Sequence, residues 1–288
     1  MTDRLVLLGT KGGPAIRQGG AMPTSSFLEI AGRKAVIDCG LGVARGLVEA
    51  GEDLRALDLV FITHLHSDHL LELGALLHTA WTTGLNRPVT VHGPAGTRAY
   101  WQAFMASMAF DTAIRVEDEG RTPLDTLVTV REYGEGEVLA GDGLTVTALR
   151  VDHPPVIDCF ALRFDGGGHA VTFSADTRHF PPLADFARGS DILVHEAMLT
   201  DGVEALIEKT GLGDKLRQHL HNSHSTAADA ARVARAADAK HLVLNHLIPA
   251  DDPRFGPDDW LAETGRIWNG LVTPGRDGLE IPLSREET

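Results

Sequence analysis

Three histidines and an aspartate fall within six residues of the segment FITHLHSDH: His64, His66, Asp68 and His69. Neutral imidazole and carboxylate are ligands that Zn²⁺, Mn²⁺ and Fe²⁺ accept. Spacings of two, two and one let a tight turn aim all four at a common centre. The alternative is a solvated polar loop, but four such groups crowd one another unless a cation offsets them. A catalytic zinc typically takes three protein ligands and keeps a position for water. Four candidates in one loop therefore point to two metals and to further ligands elsewhere.

Three distant residues can supply them. His153 follows LTVTALRVD, Asp176 follows AVTFSA, and His246 follows HLVLN, each at the end of an apolar run that reads as a strand. Alone, each of these is more readily a cap or turn residue than a ligand. Beside the fourfold cluster they complete a two-metal set.

Stiff strands must position such a set. Short β-rich runs lie at 5–8, 26–30, 35–38, 59–62, 89–92, 128–132, 144–151, 159–164, 170–174, 192–195 and 241–244. Helical patterns lie at 43–50, 70–82, 94–108 and 226–237, the last with Ser225 as its N-cap, and a terminal helix lies within 257–268. FDGGGHA, at 164–170, reads as a tight hairpin turn. Many short strands with flanking helices give an α/β (α+β) class of layered sheets. No linker or composition shift divides the chain, so residues 1–284 read as one domain and 285–288 as a tail.

Composition narrows the partners. The chain is 43% hydrophobic and 23% charged, and no stretch approaches the ~18 apolar residues of a membrane span. The apolar run near the N-terminus is shorter than the roughly 7–15 residues of a signal-peptide core, so cytoplasmic residence is expected. Cys39 and Cys159 read as reduced thiols. A net charge of −14 argues against a broad nucleic-acid surface and leaves a small anionic substrate open.

In order along the chain, LLGTKGGP at 7–14, VIDCG at 36–40, THLHSDH at 63–69, His153, FSADT at 173–177 and NHLIP at 245–249 resemble the successive motifs of the metallo-β-lactamase superfamily. LLGTKGGP, VHEAM at 194–198 and HSTAADAARVARAA at 224–237 look most like its branch of ribonuclease Z, arylsulfatase-like enzymes and phosphodiesterases. The resemblance implies a four-layer αββα sandwich of two similar halves with metals at one edge. It implies that His64, His66 and His153 hold one ion, that Asp68, His69 and His246 hold the other, and that Asp176 bridges them. Asp38 would lie behind the ligand loop and orient it by hydrogen bonding. On residue pattern alone Asp38 is equally a turn residue.

The implied activity is hydrolysis by a metal-bridging hydroxide at an ester-type centre, with Asp68 in the reacting set and zinc as the first metal, manganese or iron as alternatives. His224 matches the histidine that the branch places near the leaving group, although it equally reads as a polar residue ahead of a helix cap. Ribonuclease Z proteins carry a long Gly/Pro-rich arm between the segments matching His153 and Asp176, where this chain has only 22 residues. Together with the acidic charge, that ranks a small phosphodiester or aryl sulfate first, then a lactone or carboxylic ester, above tRNA 3′-processing. A non-hydrolytic redox or metal-binding protein on the same fold is the alternative of another class. The branch also implies a possible homodimer. Residues 200–222 are amphipathic and could cover the metal edge, and His221 there is a weaker candidate for substrate contact.

Overall fold

The computed structural model describes residues 3–283, so Ser284 and the expected tail at 285–288 lie outside it. One sheet holds β1 (Arg4–Gly9), β2 (Ser25–Ile30), β3 (Arg33–Ile37), β4 (Leu59–Phe61), β5 (Val89–Gly93) and β6 (Val128–Glu132). The second holds β7 (Gly136–Gly141), β8 (Leu144–Arg150), β9 (Phe160–Gly166), β10 (His169–Phe173), β11 (Ile192–Met198), β12 (His241–Ile248) and β13 (Leu271–Pro274). The last strand, β14 (Leu279–Pro282), returns to β1 at the edge of the first sheet, whose order is β14-β1-β2-β3-β4-β5-β6. The second runs β13-β12-β11-β10-β9-β8-β7.

The helices are α1 (Val43–Glu49), α2 (Ser67–Leu70), α3 (Leu73–Thr83), α4 (Thr97–Ser107), α5 (Ala109–Glu119) and α6 (Leu124–Leu127) in the first half. The second half adds α7 (Pro182–Phe186), α8 (Thr200–Thr210), α9 (Gly213–Ser223), α10 (Ala227–Ala236) and α11 (Pro257–Gly265).

Strand alternation builds the layers. On β3 the side chain of Val36 packs with α1 and α3 residues, while Ala35 and Ile37 face the opposing sheet. Both faces are buried, which is why the strand reads as a continuous apolar run rather than as an alternation. The space between the sheets is filled by Leu28, Phe61, Phe160, Phe164 and Val243 among others. A third core lies between the second sheet and α7, α10 and α11. Three cores between four layers make the αββα sandwich that the sequence implied.

Strand direction sets the place of the site. β3, β4, β5 and β6 are parallel neighbours, and so are β10, β11, β12 and β13. Their C-terminal ends therefore emerge along one edge of each sheet, where α/β sheets place ligands. β8 and β10 both run antiparallel to β9, so the loop after β8 reaches the same edge.

Several boundaries differ from the sequence reading. The N-cap of α10 is Thr226, which forms a reciprocal capping box with Asp229, and Ser225 instead donates its hydroxyl to the Thr177 carbonyl. The helix expected over 70–82 starts later, as α3 at Leu73, because the ligand loop first closes with the separate single turn α2. α5 has no buried residue, and β7 is a mostly exposed edge strand, so neither shows the apolar pattern that marks packed elements. The expected hairpin turn stands: Gly167 and Gly168 join β9 to β10 with φ of 60° and 85°. No helix among the described residues is long and apolar enough to cross a membrane.

Candidate metal centre

The four clustered donors sit just beyond β4. His64 and His66 lie on the loop, and His66 caps the single turn of α2, which carries Asp68 and His69. From the facing sheet come His153 after β8, Asp176 after β10 and His246 within β12. All seven converge. His153 Nε2 lies 3.2 Å from His66 Nδ1, and His64 Nε2 and His153 Nε2 lie 3.7 and 3.8 Å from Asp176 Oδ2. The same Asp176 oxygen is 3.4 Å from His69 Nε2 and 3.2 Å from His246 Nε2. Asp68 Oδ2 stands 3.6 Å from His69 Nε2 and 3.3 Å from His246 Nε2.

Among the described residues the donors form two neighbouring groups, His64, His66, His153 with Asp176 and Asp68, His69 with His246, and a third set of Asp176, His224 and His246 overlaps both. Ligand atoms within each group lie within 4.8 Å of one another. His64 Nε2, His69 Nε2 and Asp176 Oδ1 are buried without a hydrogen-bond partner. Each such orphan costs about 1–3 kcal/mol. Lone pairs from several directions converging on a buried centre fit divalent metal ions.

The groups behind the donors fix their aim. Asp38 accepts from the backbone N–H of Thr63 (2.8 Å) and pairs with Nδ1 of His69 (2.7 Å), leaving Nε2 toward the centre. The Thr63 hydroxyl lies 3.1 Å from His64 Nδ1. His153 Nδ1 donates to the Ser223 carbonyl at 2.8 Å, and the Gly13 N–H donates to Asp68 at 2.8 Å. Such partners fix ring tautomer and ligand basicity.

Backbone strain gathers here too. Of six non-glycine residues with positive φ among those described, Asp38 (61°), Ala175 (54°) and His246 (45°) lie in or beside the site. Each costs on the order of 1–3 kcal/mol, and such strain collects at functional sites. His246 has a visible cause. Asn245 pairs with Glu196 and Leu247 with Ala197, so His246 is the extra residue of a β-bulge and its imidazole is re-aimed. Its ring then passes so close to Gly12 that a Cβ there would lie 2.9 Å from Nδ1.

Electrostatics follow the crowding. Burial pushes the pKa of His64 well down and that of His153 to about 4. Burial opposes charge on His69 as well, but Asp176, Asp38 and Asp68 outweigh it and raise its pKa well above the usual value. His246 is raised to about 9 in the same way, against burial, chiefly by Asp176 and Asp68. Cations at the centre would displace those protons.

One functional residue escaped the sequence reading. Glu196, fully buried in β11, lies with Oε2 2.9 Å from His224 Nδ1 and accepts from the Thr177 N–H through Oε1. Burial, and then Asp176, raise its pKa well above the carboxylate range, while burial lowers His224 to about 4. The signal was a charge inside the apolar run ILVHEAM. His224 stacks on His246 at 5.3 Å and meets His153 edge-on at 5.0 Å, so it stands beside the donors. His221 is exposed, and the neighbouring His219 lines the cavity at the site instead.

Residues 33–247 match the family model described as the beta-lactamase superfamily domain. The ribonuclease Z of Mycobacterium bovis is 30% identical over 276 residues, covering 95% of this chain and 95% of that one. The metallo-beta-lactamase fold protein YhfI from Bacillus subtilis superposes with a TM-score of 0.72 at 21% identity, over 98% of this chain and all of that one. The short form of human tRNase Z does so with a TM-score of 0.69 at 22% identity, over 98% and 100%.

These relatives overturn the expectation of a small-molecule substrate with nucleic acid unlikely. Matching 95% of each chain leaves the mycobacterial protein no room for a long extra arm that this chain lacks. The net charge of −14 was the wrong guide as well, because it counts the whole surface and omits any cation at the buried centre. With this identity over nearly its full length, the chain belongs to the metallo-β-lactamase superfamily of metal-dependent hydrolases, in its ribonuclease Z branch.

Proposed function

We propose that this protein is a ribonuclease Z-type endonuclease that cuts a phosphodiester at the 3′ side of precursor tRNA, with residues 1–284 acting as one cytoplasmic unit. The observation that carries the reading is the buried Glu196–His224 pair set against the seven converging donors, in a chain 30% identical to a ribonuclease Z over 95% of both. In this reading His64, His66 and His153 would hold one ion and Asp68, His69 and His246 a second, with Asp176 facing both groups. Zinc fits the imidazole-rich set best. Such a pair of divalent ions lowers the pKa of a water toward neutrality and offsets charge on phosphoryl oxygens.

The chain's own groups do the rest. Asp68, tied through one oxygen to the Gly13 N–H, takes the proton of the attacking water. His224 gives a proton from Nε2 to the leaving oxygen, because Nδ1 is engaged by Glu196. Glu196, whose carboxyl burial favours as the neutral acid, fixes the ring and passes a proton to Nδ1 as Nε2 gives one up, so the ring stays neutral. Asp38 and Thr63 hold the loop of donors still. The acidic surface leaves most phosphate contact to the centre, so binding should weaken only shallowly with salt.

The test is cleavage of a precursor tRNA bearing a 3′ trailer by the metal-loaded protein, with product ends mapped. Cutting that stops with chelator and in folded Asp68→Ala is expected. An uncut precursor, under conditions where bis-(p-nitrophenyl) phosphate is hydrolysed, would refute the RNA assignment.

A further inference from the structure

We propose that α8 and α9 form a pocket for the nucleobase next to the scissile phosphodiester, an inference that rests on the RNA-cleaving reading above. A cavity of about 340 Å³ opens directly beside Asp68, Asp176, His224 and His246. That volume lies within the range of about 300–1,000 Å³ usual for ligand pockets. One side of it is apolar, built by Leu206, Leu216, Leu220 and Ile248 with His219 beside them, and the rest of the rim is His66, Ser67 and the Gly12–Pro14 loop.

This wall is a distinct piece of the molecule. Met198, Val203, Ile207, Leu220 and Ile248 make a small core of their own, separate from the three cores of the sandwich. Leu206 and Leu216 are only partly buried against it, so they give one face to that core and another to the cavity. Apolar surface contributes nothing to holding a phosphate. It suits a flat group carried on the phosphate, and in a nucleotide only the base has such a face.

His219 adds a second surface. Its ring stands edge-on to His224 at 5.6 Å and 87°, and its hydrogen-bond contact among the described residues, to the Ser223 hydroxyl, is long at 3.5 Å. Histidine rings stack on unpaired bases. The leucines carry no donors or acceptors, so the wall holds a base by its face without reading its edge. The pocket therefore tolerates any base, as an enzyme acting on varied trailers requires.

The experiment compares intact precursor RNA with RNA made abasic on either side of the cut, using the metal-loaded protein. In the wild type, removing the base at one flanking position should raise KM about tenfold and change kcat little. Leu216→Ala and His219→Ala should raise KM on intact RNA by a similar factor, and their losses should not add to that of the missing base. His219→Phe, which keeps a stacking ring, should restore most of the binding. Thermal unfolding of each variant checks that the fold persists. If the intact RNA is cut but neither abasic position changes KM, or the losses add in full, the pocket is overturned and the endonuclease reading stands. If intact RNA is not cut at all, both fall.

Discussion

The two sheets contribute to one centre in opposite ways. The first gives four donors from six consecutive residues, on a loop and a single helical turn braced from behind by Asp38 and Thr63. The second gives three donors from three separate strands, with the buried Glu196 on a fourth. Two of those three depend on unusual backbone: Asp176 follows a positive-φ alanine, and His246 is itself the bulged residue. The first edge is thus a local device and the second a long-range one. Only the second carries Asp176, the carboxylate that faces both donor groups, together with Glu196, which pairs with His224.

Breaking that shared carboxylate should have the largest effect. Asp176→Ala should drop bound metal from about two ions per chain to fewer than one and cut kcat/KM by roughly 10³ or more. Elemental analysis beside turnover decides it; two ions retained with near-normal activity would remove the reason for a shared ligand. His66→Ala touches one group only, so about one ion should remain, with a loss on the order of 10². Loss of both ions there would mean that the two donor groups do not act separately.

Glu196→Gln should leave metal content intact and lower kcat roughly 10–100-fold with KM little changed, because it acts through the His224 ring. An unaltered pH–rate profile in that variant would remove Glu196 from proton transfer.

The smallest effect is on stability, and it compares the sheets away from the metals. His92, stacked on Phe61 at 4.8 Å in the first, and His195, buried in the second, are both lowered by burial to about 4. Their unfolded values lie near 6.5. Protonation then favours the unfolded chain, so their contribution is whole above about pH 6.5 and is lost as pH falls toward 4. Each could account for up to about 3 kcal/mol across that window. Denaturant midpoints at pH 7 and 4.5 should converge in His92→Asn relative to wild type; an unchanged slope with pH would show that His92 has no part in it.

Legibility followed the same division. THLHSDH was readable because its donors crowd within one loop, where charge and imidazole density have no bland explanation. His153, Asp176 and His246 were readable only as residues after apolar runs, and became persuasive through their number. Glu196 was missed because one acid within an apolar strand carries no periodic signal, and only the packing that brings His224, at the end of α9, against β11 gives it a partner. The cap of α10 shifted by one residue for a similar reason: Ser225 and Thr226 are equal by type, and the capping box chose between them.

The sequence by itself determined the layered class, the strand ends and the donor chemistry, because hydrophobic spacing and residue type are local properties. Tertiary structure alone decided that Asp176 stands between both groups, that a bulge turns His246 inward, that Glu196 meets His224 across 2.9 Å, and that α8 and α9 wall the cavity with leucine. Each of these depends on the register and facing of elements far apart in the chain, which pairing across sheets fixes and residue order does not.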